Sequence, residues 1–260
     1  MSTAASRIAQ SAALPIIAMV LAAGRGNRMR PLTDTCPKPL LPLKGKPMMQ
    51  WTLERLARGG FTRVVVNTAW LGEQISDHFQ DRPTIDGKPV RIQYSHEGRD
   101  FGDALETAGG ISRALPLLGD VFWVAAGDVY VPTFDFAQAA VDQFIARGRL
   151  AHLWLVPNPL HNAKGDFGID DAGVASNAPG PDGLLHTFST IALYRSEFFT
   201  EDVGAPPFGN LHGVSAALAP LLRKRIARGE VGAELYTGAW ADVGTPDRLQ
   251  QLNSSLDDPL

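Results

Sequence analysis

Residues 21–31, Leu-Ala-Ala-Gly-Arg-Gly-Asn-Arg-Met-Arg-Pro, carry the kinds of group that grip phosphate. Gly24 and Gly26 allow a backbone turn with positive φ and a close approach to a ligand. Successive N–H groups in such a turn form an anion-binding hollow. Arg25, Arg28 and Arg30 add planar donors that fork onto phosphate oxygens; the alternative is an ordinary turn with solvated arginines. Two other phosphate loops are excluded. A dinucleotide fingerprint needs glycine where Met29 stands, and a Walker loop needs a Gly-Lys-Ser/Thr ending that is absent.

Three further segments have chemical potential. In Pro37-Lys38-Pro39-Leu40-Leu41-Pro42 the prolines stiffen the chain, so Lys38 is held as a fixed cation where negative charge gathers, or else is a plain surface lysine. Asp128 closes Ala125-Ala126-Gly127-Asp128 just past an apolar run, the end of a strand at which open α/β sheets bind ligands. It suits a hard cation such as Mg²⁺, with a helix N-cap as the rival role. Asp242, in Trp240-Ala241-Asp242-Val243-Gly244-Thr245-Pro246, also follows an apolar run. There Thr245 and Pro246 take the cap and first turn of a helix, which leaves Asp242 free. The two aspartates form a candidate pair for one or two ions.

Elements of alternating type must position these groups. Strands are expected at 16–22, 63–67, 90–95, 121–126, 151–156, 188–194 and 235–240, from short continuous apolar runs. Helices are expected from Pro47 to the Gly59-Gly60 stop, then at 72–79, 104–115, 134–147, 214–228 and 245–255. The Pro-, Gly-, Asn- and Asp-rich stretch 157–187 reads as short strands and loops forming a lid or sugar-facing insertion. The whole is an α/β fold, a doubly wound, mixed but mainly parallel sheet in a single domain over 15–260, with 1–14 as a flexible tail.

Composition narrows the function. At 260 residues and 45% hydrophobic content the chain can bury a substantial core. Its net charge of −3 shows no basic face for nucleic acid. The lone Cys36 precludes an intrachain disulfide or thiolate metal site; it reads as a spacer before a nucleophile, and points to a cytoplasmic protein. Residues 12–23 imitate a signal-peptide core, but the glycine-arginine loop directly after them favours a buried first strand. No run reaches the roughly 18 apolar residues of a membrane span. The six histidines show no metal-ligand spacing, and the tryptophans read mostly as core, with Trp70 at a pocket edge.

Together these segments resemble the sugar-1-phosphate nucleotidyltransferase family, whose signature looks like L-A-A-G-x-G-x-R-M-x-P, P-K-P-L, G-D and D-V-G-T in that order. The likeness covers about residues 16–255, with further support from Ala69-Trp70-Leu71-Gly72, Leu105-Glu106-Thr107-Ala108-Gly109-Gly110-Ile111 and Gly165-Asp166-Phe167. It implies that Gly26, Asn27 and Arg28 hold a triphosphate, that Lys38 neutralises its α-phosphate, and that Asp128 and Asp242 bind Mg²⁺. Leu21, Ala22, Gly24 and Gly109 are implied at the nucleotide, Asp166 and Thr190 at the sugar. The implied substrates are UTP and a sugar 1-phosphate of the N-acetylmuramate type, in a monomer or small homo-oligomer. The family pattern has a polar residue where Ala126 stands, and glycine where Ala108 and Thr190 stand, so Ala108 is expected to add a methyl near the base.

Overall fold

A computed structural model describes residues 16–255; the tail expected at 1–14 lies outside them. Seven strands form the main sheet: β1 Ile17–Leu21, β2 Arg63–Thr68, β3 Arg91–His96, β4 Val121–Ala126, β5 Ala151–Val156, β6 Thr187–Arg195 and β7 Val231–Leu235. Their spatial order is β7-β5-β6-β4-β1-β2-β3. Only β6 runs against its neighbours, so the sheet is mixed and mainly parallel, as expected.

The continuous apolar runs follow from burial on both faces. In β1, Ala18 and Val20 enter one core with Met49, Leu53 and Leu56 of α1 (Met48–Arg58) and Val141 and Phe144 of α5 (Gln138–Arg147). Ile17 and Met19 enter the opposite core with Ile111 and Leu115 of α4 (Glu106–Leu118) and Leu221 and Leu222 of α6 (Leu218–Ala227). A smaller cluster joins Met29, Leu41, Met48 and Trp51 to Val243 and Leu249 of α7 (Pro246–Ser254). It packs the segment after β1 onto Val243 and α7. The helix α2 (Gly72–Phe79) has the bounds expected from sequence.

Some expectations are corrected. The strand placed at 235–240 lies at Val231–Leu235, because the partner β5 is reached by Val231, Gly232 and Ala233 and the chain leaves the sheet after Leu235. The helix read from 134 starts at Gln138, since Phe134 and Phe136 are taken into an aromatic cluster around Trp123. A short helix not foreseen, α3 (Glu97–Phe101), follows β3. Within 157–187 the structure has the short ladder expected of an insertion, Gly168–Ile169 against Ala175–Ser176. Among the described residues no helix is long and apolar enough to cross a membrane.

Candidate functional site

Strands β1 and β4 run side by side and parallel, so the loops leaving both open at the same edge. A cavity of about 420 Å³ lies there, lined by Leu21, Ala22, Gly24, Gly26, Asn27, Arg28, Lys38, Ala126, Asp128 and Thr190, with Asn67, Glu106, Thr107 and Gly244 among its other walls. The two halves are stitched by the backbone: Gly127 N–H donates to the Leu21 carbonyl at 2.8 Å.

Gly26 is required twice over. Its φ is +67°, and an added Cβ would stand 3.1 Å from the Thr33 methyl and 3.2 Å from the Lys38 Cβ. Lys38 is thereby packed against the loop and buried, and its ammonium pairs with Asp128. Gly24 differs from expectation: its φ is not positive, and an added Cβ there would meet nothing.

The three arginines divide. Arg25 donates to the Thr33 carbonyl at 2.7 Å, pairs with Asp34 at 3.3 Å and stacks 3.5 Å over the Trp70 ring. Arg30 also pairs with Asp34, at 2.9 Å. These two brace the loop and do not line the cavity. Arg28 does line it and makes no ion pair among the described residues. Cys36 is half-buried, which raises its thiol pKa and disfavours the thiolate a nucleophile needs.

The aspartates meet through a two-stranded ladder, Val129–Tyr130 against Ala241–Asp242, in which Asp242 is registered with Val129. Val243 N–H donates to the Asp128 carbonyl at 3.2 Å. Residues 241–243 are thus pinned beside the end of β4. Asp242 is not itself among the lining residues. Gly244 is, and a Cβ on Gly244 would lie 3.2 Å from Asp242 Oδ2. Arg248 and His161 (2.9 Å) both hold Asp242 Oδ1, while Thr245 caps α7 as expected. Among the described residues no three His, Cys, Asp or Glu side chains cluster as a metal cage. Asp128 and Asp242 are the carboxylates this edge could offer a hard cation, which commonly takes only one or two from the protein.

A second cavity, of about 380 Å³, adjoins the first and shares Leu21, Glu106, Thr107 and Thr190 with it. Asp166 lines this one, with its Oδ2 accepting from Phe188 N–H at 2.8 Å and the Asn162 amide at 3.2 Å. Two residues at the shared boundary take left-handed backbones that side chains rarely adopt: Glu106 at φ 57° and Thr190 at φ 65°. Thr190 lies with Ser189 in a bulge of β6, secured by the Ser189 hydroxyl, which donates to the Trp154 carbonyl at 2.6 Å. The glycine that the family pattern has at Thr190 suits this backbone. Gly109 lies deeper than expected, inside α4 against residues 214–216, and does not line the cavity. Ala108 is fully buried in the core and does not line the cavity.

One contributor was missed from sequence. Asn67, at the end of β2, accepts from Ala22 N–H at 3.0 Å and donates to Glu97 at 2.7 Å. The other Glu97 oxygen accepts from Leu105 N–H at 2.8 Å. This buried relay ties the loop after β1 to the start of α4. The signal was a polar residue ending a run of valines. Burial raises the Glu97 pKa above the ordinary glutamate range. A folded pKa above the unfolded one means the folded state holds the proton longer, so this group's contribution to stability falls as pH rises from the ordinary range toward the raised value. Glu97→Gln turns an amide N–H toward one of two donors, and a loss of about 1–3 kcal/mol is expected in urea unfolding. The gap between wild type and variant should narrow as pH rises through that window; a gap that widens contradicts this account.

The glycine-arginine loop, Lys38 and Asp128 thus share one cavity at the edge of the sheet, and the ladder brings Asp242 next to it. The chain belongs to the nucleotidyl transferase family, which it matches over residues 17–178. Among its relatives is the N-acetylmuramate alpha-1-phosphate uridylyltransferase of Neisseria meningitidis serogroup B, 46% identical over 91% of this chain and 96% of that protein. The protein of the same description from Caulobacter vibrioides is 41% identical over 89% and 93%. In fold, the chain superposes on a solved Bacillus anthracis structure holding sucrose, with a TM-score of 0.73 at 20% identity, over 92% of this chain and 94% of that one.

Proposed function

We propose that this chain transfers uridylyl from UTP to N-acetylmuramate 1-phosphate, releasing pyrophosphate, with Mg²⁺ as the metal. Both relatives above carry that activity in their names. The observation that carries the reading is the ladder setting Asp242 beside Asp128 and its partner Lys38, at the mouth of the glycine loop. Under this reading the enzyme works in the cytoplasm and returns a cell-wall sugar to its nucleotide-activated form.

Backbone N–H groups of residues 24–28 and the unpaired Arg28 bind the triphosphate. Lys38 faces the α-phosphate. An oxygen of the sugar phosphate attacks the α-phosphorus in line, a new P–O bond forms, and the bond to the β-phosphate oxygen breaks with its electrons leaving on pyrophosphate. Asp128 and Asp242 would hold Mg²⁺, which would supply shielding of the phosphate charge. No covalent nucleophile is needed, because positioning and charge stabilisation carry phosphoryl-type transfer. The Asp166 carboxylate accepts from a sugar hydroxyl in the adjoining cavity.

The test is pyrophosphate release across a panel of triphosphates and sugar 1-phosphates. The expected result is turnover greatest with UTP and N-acetylmuramate 1-phosphate, abolished by chelation. Turnover with GTP alone, or with dTTP and glucose 1-phosphate alone, would overturn the substrate reading.

A further inference from the structure

The second cavity carries a cation to which the function proposed above gives no role. Its walls are largely apolar, with Val124, Phe167, Leu218 and Leu222 among them. Asp166 and Glu106 bring negative charge, and Arg223 of α6 is the one cation among the lining residues. It belongs to the wall not shared with the phosphate cavity. The other arginines near the end of that helix are committed: Arg225 pairs with Glu230 at 2.8 Å, and Arg228 pairs with Asp202. Arg223 is exposed and forms no ion pair among the described residues.

Its guanidinium is nonetheless oriented. It lies 5.1 Å from the Phe167 ring centre, and its Nη1 reaches Asn177 Oδ1 at 3.5 Å. The Asn177 amide in turn donates to the Arg223 carbonyl at 2.9 Å. A planar fork set on an aromatic face, with no acid of its own, is arranged for a carboxylate or phosphate ligand.

Resting on the function proposed above, we infer that Arg223 binds a carboxylate carried by the sugar itself, remote from the anomeric phosphate. With the anomeric phosphate at the boundary marked by Glu106, Thr107 and Thr190, the sugar ring extends into the second cavity. A muramyl sugar carries a lactyl ether whose carboxylate then reaches the Arg223 wall, and its methyl meets the apolar lining. Arg223 is thereby a specificity-determining residue that separates acidic from neutral amino sugars.

The experiment compares kcat/KM for N-acetylmuramate 1-phosphate with that for its lactyl methyl ester, in the wild type and in R223Q and R223K. One charge-assisted contact is expected to give the wild type a preference for the acid of about tenfold or more. R223Q should erase that preference through KM for the sugar, with KM for UTP little moved, and R223K should retain part of it. A preference for the acid undiminished in R223Q, or no preference in the wild type, overturns the Arg223 assignment alone. A wild type that turns over neither muramyl compound yet couples another sugar phosphate overturns the functional reading and this inference with it. Because Arg223 is exposed, R223Q is expected to fold.

Discussion

Lys38→Met is expected to lower kcat for uridylyl transfer by about 10²–10³-fold, the usual loss when one preorganised stabiliser of developing charge is removed. Methionine keeps a stem of similar length against Gly26 and Thr33, so the loop should hold its shape. What disappears is the cation beside Asp128. The fold should lose little, because the Asp128 side chain is 39% exposed and water can replace the ammonium. Steady-state kinetics together with thermal unfolding would separate the two effects. Turnover within a few-fold of wild type would remove Lys38 from the reaction. An arginine at this place should not restore the rate fully, because a broad fork does not match a site shaped for a compact ammonium.

Asp128→Asn and Asp242→Asn form the second expectation. Each keeps the shape of the side chain while removing its negative charge, and each should cut turnover by about 10²-fold or more and raise the Mg²⁺ concentration needed for half-maximal rate. If both carboxylates serve the same ion, the double variant should fall little further than the worse single one, since groups acting as a unit are not additive. Full multiplication of the two losses would instead assign them separate roles. Asp242→Asn has an added effect to watch, because Arg248 and His161 converge on that carboxylate. A variant with no change in Mg²⁺ dependence at either position would sink the metal assignment.

Particular residues show how far the sequence could be read. Val121–Ala126 is legible to its ends because six apolar residues in a row, buried on both faces, leave no competing period. β7 is not, because it sits at the edge of the sheet and its last two residues, Glu234 and Leu235, are exposed. Trp240, inside the segment expected as strand, serves a different purpose, donating to the Ser189 carbonyl at 3.1 Å. Helix α3 is five residues long and too short to carry a 3.6-residue period.

Within the site, Arg28, Lys38 and Asp128 were legible as residue types next to glycine, proline and a strand end. The fate of the other two arginines depended on Asp34 and Trp70, which pair with them only once the loop has folded. The Asn67–Glu97 relay was hidden for the same reason, since it joins the loop after β1, the end of β2, the start of α3 and the residue before α4. The resemblance puts Gly109 at the nucleotide, whereas in the fold it admits the backbone of residues 214–216 against α4.

The ladder between Ala241–Asp242 and Val129–Tyr130 has a consequence for biosynthesis. All seven strands of the main sheet have been translated by Leu235, but the carboxylate that completes the pair, and the Leu249 that seals the cluster beneath the phosphate loop, come after it. Under the metal assignment proposed above, a nascent polypeptide on the ribosome cannot consume nucleotide until residues 241–254 have emerged, and a premature stop just beyond residue 235 would leave the sheet's strands intact in sequence but the catalyst silent.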